Sequence, residues 1–414
     1  MLARLADARW LIVAFGVLTA IGSSDTVAQT TRAGGAKSAS ARATTTPTPL
    51  DVTKLRRLKL VEDLRLDGTT EDFSVIGRVA INRNGGVAVP MLQDMQIRIY
   101  DANGKRVGTV GRKGVGPGEF NFVAIVSWIG DSLFVSDAAL RRATYFGPDL
   151  TLLRSVAYLP GMNTTSRSAA TDTNYWSFSP FAALANGKLI GSARFSIGSK
   201  PNDLQYVHVT FSAPNNFTRI AVPPSREDPK WMLTLGGMGN LVPFAFFPES
   251  HWPSDGSRIA SLTTDQRTRT PTFQVTVRDT IGSPAYDHTF SVRGVPISGT
   301  AADSGINALY PAKPSRAWEG PPPTQWRALA KKNIPAVFSP VERIAIGHDG
   351  RAWITMRPTP SGQDVLVLDA RGTPMAVANL PPRSRIEQAT SSNVWMTQRD
   401  EDGLPSVVRY RITK

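Results

Sequence analysis

Histidine side chains are the strongest candidates for metal chemistry in this sequence, because no cysteine is present. The absence of cysteine also excludes thiolate zinc sites, catalytic cysteine and disulfides. His208 and His288 lie within predicted strands of different repeats, and His348 lies in a predicted hairpin, so we do not expect them to converge on one ion. His251 stands in a predicted insertion beside Trp252, and we retain it as a binding candidate, with no metal or cofactor.

The glycine-rich stretch 111–120 has the composition of a phosphate-binding loop, and it carries the basic pair Arg112 and Lys113. A P-loop requires a lysine followed by serine or threonine at the start of a helix. Here Lys113 is followed by glycine, and the apolar run Phe122–Trp128 predicts a strand. We therefore interpret the stretch as a tight structural connection, in which Arg112 and Lys113 are candidate binding residues.

Tryptophans outside the predicted strands form another group of candidates. Tryptophan is enriched at the binding surfaces of proteins. Four tryptophans in predicted insertions are interpreted as partner contacts: Trp176, Trp231, Trp252 and Trp326. The alternative, that each one anchors its own loop to the scaffold, stays open.

Most of the chain repeats one pattern, in which short strands alternate with turns that contain glycine or asparagine. The pattern occurs over residues 75–110, 125–157, 181–222, 242–292, 343–380 and 386–412. The last set has three strands, and the apolar alternation of Leu58–Leu66 supplies a fourth. The sequence therefore predicts an all-β fold, a six-bladed β-propeller of four-stranded blades, with the ring closed by an N-terminal strand in the last blade. The predicted innermost strand of the fourth blade is Val242–Phe247.

The segments Ile97–Asp101, Asn103–Lys105 and Gly114–Phe120 resemble the repeat of NHL-type β-propellers. In that repeat a turn of Asp-x-x-Gly type and a strand lead into a Gly-x-Gly-Pro-Gly-Glu-Phe linker. The resemblance covers about forty residues and weakens in the other repeats. It implies an exported propeller of bacterial type and leaves the function open, because propellers host binding, scaffolding and catalysis.

The N-terminus has the pattern of an export signal. Arg4 and Arg9 precede the apolar run Trp10–Ile21, and the small residues Thr26 and Ala28 fit a cleavage site. The run has twelve residues, whereas a membrane span needs about 20. We expect a cleaved signal peptide over residues 1–28, and retention as a membrane anchor is the alternative.

Composition then divides the rest of the chain. Residues 29–50 are rich in Thr, Ala, Ser and Gly, which predicts a disordered linker. The propeller is expected over residues 51–414, with insertions near 161–180, 223–256 and 297–335. We expect a periplasmic or secreted monomer with no membrane span after signal removal.

The formal net charge of +14 favours anionic partners. Export makes nucleic acid an unexpected partner, which leaves a protein or an anionic cell-surface polymer. The charges are scattered along the chain, so an evenly solvated basic surface is the alternative interpretation.

The predicted function is non-enzymatic binding or scaffolding. The alternative is a metal-dependent hydrolase or lyase similar to lactonase or amidating-lyase propellers. Calcium takes about six to eight oxygen ligands. The predicted innermost strands contain one acidic residue, Glu387, with Glu342 just outside, and this supply of carboxylates favours the binding function.

Removal of the signal peptide is directly testable. We expect the exported protein to begin at Gln29, because the small residues before it fit signal cleavage. Intact-mass measurement and N-terminal sequencing of the exported fraction check this. A membrane-bound chain that still begins at Met1 would instead support the anchor.

Overall fold

The computed structural model describes residues 46–158, 166–168, 173–197, 205–212, 216–221, 232–235, 238–312 and 322–413. The predicted signal peptide, residues 29–45 of the predicted linker and Trp231 lie outside these residues. Strands dominate the described ranges, and two α-helices occur in them. None of the described helices has the length and apolar character needed to span a membrane.

Four-stranded antiparallel units are the building blocks of the fold. Two strands precede them, β1 (Thr48–Pro49) and β2 (Arg56–Leu66), with a 3₁₀ turn at Val52–Lys54 between them. The first unit is formed by β3 (Ala80–Ile81), β4 (Val87–Met91), β5 (Gln96–Tyr100) and β6 (Arg106–Val110). The second unit is formed by β7 (Val123–Ile129), β8 (Ser132–Asp137), β9 (Arg142–Phe146) and β10 (Leu152–Ala157).

The third and fourth units are separated by a small hairpin. The third sheet contains β11 (Ser166–Ser168), β12 (Thr173–Ala183), β13 (Leu189–Ile197), β14 (Gln205–Ser212) and β15 (Asn216–Ala221). The hairpin consists of β16 (Met232–Leu235) and β17 (Met238–Leu241). The fourth unit is formed by β18 (Glu249–His251), β19 (Arg258–Asp265), β20 (Thr272–Asp279) and β21 (Pro284–Ser291).

Two helices, α1 (Gly299–Leu309) and α2 (Pro323–Asn333), precede the last two units. The fifth unit is formed by β22 (Val341–Ile346), β23 (Ala352–Met356), β24 (Gln363–Leu368) and β25 (Pro374–Leu380). The sixth combines β26 (Ser384–Ala389), β27 (Asn393–Arg399) and β28 (Pro405–Thr413) with β2. Sheet order and strand content are those of a β-propeller.

Aspartates at the hairpins explain why neighbouring strands reverse so tightly. Asp101 Oδ1 accepts hydrogen bonds from the N–H groups of Asn103 and Lys105, both at 2.9 Å. Gly104 has a φ of 81°, a left-handed conformation that favours glycine. The same aspartate-to-backbone bonds occur at the turns that begin with Asp279 and Asp369.

The N-terminal strands cover the outer edges of three units. β1 pairs in parallel with β21 of the fourth unit. β2 begins in parallel with β25 of the fifth unit and continues antiparallel to β28 of the sixth. Covered edges leave fewer unpaired backbone groups for unwanted association. Residues 48 and 49 of the predicted linker are thus part of a sheet, and the structured region extends N-terminal of residue 51.

The innermost strand of the fourth unit was predicted wrongly. The structure places it at Glu249–His251 instead of Val242–Phe247. Val242 packs into a buried cluster with Ile306 of α1 and Trp326 of α2. The apolar pattern therefore reflects a loop that covers the helices, whereas the true strand contains the polar sequence Glu-Ser-His.

Buried apolar side chains join consecutive units to one another. Ile99 of the first unit and Val126 of the second share one cluster. Phe273 of the fourth unit and Ile354 of the fifth share another. Because the sheets pack against one another face to face, some strands consist of continuous apolar runs, such as Val87–Met91, which is buried throughout.

Truncation tests the role of β2. A chain that begins at Asp67 lacks β2, so the backbone of β28 loses its partner and the buried Leu66 side chain is lost. We expect its unfolding free energy to fall by about 3 kcal/mol or more, the scale of a deleted core leucine. Chemical denaturation against a control chain that begins at Thr46 measures this difference. Equal midpoints for the two chains would contradict the role assigned to β2.

Candidate functional site

One end of the sheets carries the long connections of the chain. The segments 158–172, 222–248 and 292–340 each lead from one unit to the first strand of the next. Each segment therefore ends where a first strand begins, at the end of the sheets that we call the insertion face. Gln266, between β19 and β20, forms hydrogen bonds to the segments 222–248 and 292–340 at this end. Its side chain accepts from the Phe246 N–H at 2.8 Å and donates to the Val337 carbonyl at 3.0 Å.

Three arginines from three different units meet at the insertion face. Arg78 precedes β3, Arg343 lies in β22 and Arg385 lies in β26. Together with Glu249 and Glu387 they line a cavity of about 140 Å³. With one lining histidine they form a set that we call the mouth cluster: Arg78, Glu249, His251, Arg343, Arg385 and Glu387.

Protein hydrogen bonds hold both carboxylates of the mouth cluster. Glu387 Oε1 accepts from Arg385 Nε and from Thr397 Oγ1, each at 2.8 Å. Glu249 Oε2 accepts from the Ile344 N–H at 2.9 Å. The cluster thus contains three guanidinium groups and two carboxylates, which leaves an excess of positive charge at the cavity.

His251 is buried and contacts two donors. The Ile346 N–H donates to Nδ1 at 3.1 Å, and Arg78 Nη2 lies 2.8 Å from Nε2. Burial, with the Arg78 charge beside it, holds the pKa of His251 well below its usual range, so the ring is neutral. Arg78 Nη2 also donates to the Trp252 carbonyl, and its guanidinium carbon lies 4.5 Å from the Trp252 ring centre, a cation–π contact.

Burial and neighbouring charges shift other pKa values in the cluster. Burial lowers the pKa of Arg78 to about 10 and raises that of Glu249 above its ordinary value. The charge of Glu387 raises the pKa of Arg385. Arg78 and Arg385 are therefore protonated at neutral pH, and Glu249 is the acid of the cluster whose ionised form is disfavoured by its surroundings.

The chain from His251 to Gly256, which we call the central segment, leaves the mouth cluster and contacts other units. Ser254 Oγ donates to the Ile81 carbonyl of the first unit and lies 3.0 Å from Gln388 Oε1 of the sixth. The Trp128 N–H of the second unit donates to the Ser254 carbonyl at 2.9 Å. These bonds tie the innermost strands of separate units to one backbone segment.

The predicted binding residues have different surroundings in the structure. His251 belongs to the mouth cluster, and Trp252 follows it and stacks on Phe181 of the third unit with ring centres 3.9 Å apart. Trp326 is 2 % exposed and stacks on Tyr310 at 6.1 Å. Trp326 therefore anchors α2 against α1, which is the alternative that the sequence left open for these tryptophans.

The basic pair of the glycine-rich loop lies apart from the mouth cavity. Arg112 is 80 % exposed and pairs with Glu119 at 2.7 Å, and Lys113 is exposed beside it. Neither residue lines the cavity. The backbone of Trp176 lies in β12, whereas its side chain, like all of Trp231, is outside the described residues.

Among the described residues, no group of three or more histidine, aspartate or glutamate side chains is placed to hold a metal ion. His208 Nδ1 lies 3.0 Å from Ser192 Oγ, and His288 Nε2 lies 3.0 Å from the Arg371 carbonyl, so these histidines serve separate units. The corrected fourth strand adds Glu249, and β22 includes Glu342, so the innermost strands hold three acidic residues instead of the predicted one.

Comparisons with known proteins give weak similarities. No protein-family model matches the chain, and no curated protein matches its sequence. A DUF4221 protein from Bacteroides vulgatus is 12% identical, with a TM-score of 0.48 and coverage of 87% of this chain and 99% of that one. A Bacteroides fragilis protein described as exported is 13% identical, with a TM-score of 0.43 and coverage of 89% and 99%.

Virginiamycin B lyase from Staphylococcus aureus is 10% identical to the chain, with a TM-score of 0.35 and coverage of 86% of this chain and 99% of that one. Scores this low carry no argument about the activity of the chain. The assignment to a propeller therefore rests on sheet order and packing, and the resemblance to NHL-type repeats stays a prediction.

Sequence reasoning missed the arginines of the mouth cluster. Arg343 is the first residue of the predicted innermost strand Arg343–Ile346, and Arg385 directly precedes the predicted innermost strand Ile386–Ala389. A charged residue at the start of an apolar innermost strand was the available signal, because strand starts of all units face the same end. Arg78 gave a weaker signal, since β3 is only two residues long.

The pKa of Glu249 predicts a pH dependence of stability. Because folding raises this pKa, the native state favours the neutral acid. That stabilisation is complete below the ordinary pKa of about 4.3 and is lost as pH rises through the raised value. Glu249→Gln is neutral at every pH, so we expect the Tm of the natural protein minus that of the variant to fall as pH rises above the ordinary pKa of glutamate.

Thermal unfolding at several pH values measures this difference. Glu401→Gln, at an exposed turn, is the matched control because it removes the same charge away from the cavity. A difference for Glu249→Gln that stays constant or increases with pH would show that the surroundings of Glu249 do not favour its neutral form.

Proposed function

We propose that this chain is an exported binding propeller, periplasmic or secreted, that captures a protein or an anionic cell-surface polymer on its insertion face. The gathering of Arg78, Arg343 and Arg385 on the face that carries the long connections is the observation behind this proposal. A cavity lined by excess positive charge attracts anionic groups and raises their local concentration. Long connections on a rigid scaffold provide the surrounding contact area.

The proposal includes a closed ring of six NHL-like blades, one for each four-stranded unit. Packing between the last and first units supports it. Val89 of the first unit shares a buried cluster with Trp395 and Val407 of the sixth. The innermost strands β26 and β3 are also in contact. In such a ring β2 completes the last blade, and the innermost strands surround the central segment.

The charges at the cavity favour anion binding over metal-dependent hydrolysis or lyase chemistry. A catalytic cation needs carboxylates that are free to coordinate it. Glu249 Oε2 and Glu387 Oε1 already accept hydrogen bonds from the protein. The three neighbouring guanidinium groups would also repel a divalent cation at short range.

Titration of the mature protein against polymers tests this function. We expect saturable binding to an anionic polysaccharide such as polygalacturonate and none to neutral dextran, with affinity that falls as salt is raised. Arg112→Gln with Lys113→Gln should weaken polymer binding by about threefold to tenfold, because each exposed charge contributes about 1 kcal/mol or less. Biolayer interferometry measures the affinities.

Arg56→Gln with Lys59→Gln provides the control, because these exposed residues lie on the N-terminal strand β2. In parallel, crosslinking on intact cells identifies a protein partner if the polymer does not bind. Absence of both polymer binding and a crosslinked partner, together with stoichiometric metal and a chelator-sensitive hydrolase activity, would overturn the proposal in favour of the enzyme.

A further inference from the structure

The mouth cavity contains guanidinium N–H groups that the protein does not use. The Arg343 guanidinium donates no hydrogen bond to any described residue. Arg78 uses Nη2, and Arg385 uses Nε and Nη2, so one nitrogen or more on each remains without an acceptor in the described part of the chain. A guanidinium edge presents paired donors that match the two oxygens of a carboxylate.

Charge and size restrict what the cavity can accept. In the state with both glutamates ionised and His251 neutral, the three arginines leave a net charge of +1, which one monoanion neutralises. A dianion such as phosphate would leave excess negative charge beside Glu249 and Glu387. A volume of about 140 Å³ equals roughly four or five water molecules of about 30 Å³ each, which suits a carboxylate on a slim stem.

The contact between Arg78 and His251 lacks an acceptor. When His251 Nδ1 accepts from the Ile346 N–H, the neutral ring carries its proton on Nε2. Arg78 Nη2, which lies 2.8 Å from Nε2, then faces this proton, donor against donor. A ligand oxygen in the cavity would give the Arg78 guanidinium an acceptor that His251 does not provide.

We propose that the mouth cavity binds a single carboxylate of a peptide partner, an aspartate or glutamate side chain or a chain terminus, between Arg78, Arg343 and Arg385. This proposal deepens the proposed function by naming the group that enters the cavity. A peptide is favoured over a polyuronate because its carboxylate stands on a flexible stem. The carboxylate of a uronate, in contrast, is attached directly to a sugar ring and has no such stem.

Calorimetric titration of the full mature chain with short peptides tests the proposal. The probes are acetyl-Gly-Glu-Gly-amide and its neutral isostere acetyl-Gly-Gln-Gly-amide. We expect saturable binding of the glutamate peptide alone. Arg343→Gln should weaken it by about 10- to 100-fold, the effect of a lost charge-assisted hydrogen bond.

Arg371→Gln is the control, because Arg371 is an exposed arginine of the same unit in the turn between β24 and β25. The affinity of the Arg371→Gln variant for the glutamate peptide should stay within about twofold of that of the natural protein. Arg385→Gln, at a side chain that is 44 % exposed, provides a second variant if Arg343→Gln does not fold.

Equal binding of the two peptides, or equal affinities of the Arg343 and Arg371 variants, would overturn the proposal. So would Arg343-dependent binding of a galacturonate oligomer with no binding of the glutamate peptide, which would assign the cavity to a polymer. Arg343-dependent peptide binding without capture of any partner or polymer by the whole protein would support the cavity and reject the proposed function.

Discussion

A buried polar backbone segment can persist at the meeting point of several sheets only if each of its donors and acceptors is satisfied. In the central segment, neighbouring units supply several of these partners. The segment forms hydrogen bonds with four residues of the first, second, fifth and sixth units: Ile81, Trp128, Ile346 and Gln388. The Trp252 ring also stacks on Phe181 of the third unit. The positions of the innermost strands are therefore coupled to one another through six residues of chain.

The two ends of the central segment have different charged surroundings. At one end His251 is neutral and borders the cationic cavity. At the other, Asp255 lies 2.9 Å from both Arg83 Nη2 and His348 Nδ1. Burial alone would raise the pKa of Asp255, but hydrogen bonding and the charge of His348 hold it well below its usual range. The carboxylate at that end is paired, whereas the arginines of the cavity retain free donors.

The strands could be predicted from the sequence because their signals are local. Apolar alternation and hairpin turns such as Asp101–Gly104 depend on neighbouring residues, and β23 lies where the pattern predicts it. The innermost strand Glu249–His251 lacked such a signal, because its polar side chains are satisfied by other units. Hydrogen bonds from other units stabilise these polar residues in a strand, and such tertiary contacts cannot be recognised from a local sequence pattern.

The candidate site could be predicted only in part for a related reason. His251 and Trp252 were recognised by residue type, and they are close to the cavity. The arginines come from positions 78, 343 and 385, and only the packing of separate units brings these together. For Trp326, residue type was misleading. It was predicted to contact a partner, but it packs with Tyr310 and Ala330 in a buried cluster.

The mouth cluster is poorly explained as a device for stability. Burial lowers the pKa of Arg78, which means that its charged form is less stable in the folded protein than in water. Glu249 is disfavoured in its ionised form for the same reason. Replacing such buried charges with apolar side chains often leaves stability unchanged or raises it. Arg78 and Glu249, whose charged forms oppose folding, lie at one cavity with unused donors, and a ligand that supplies the missing acceptors explains this arrangement better.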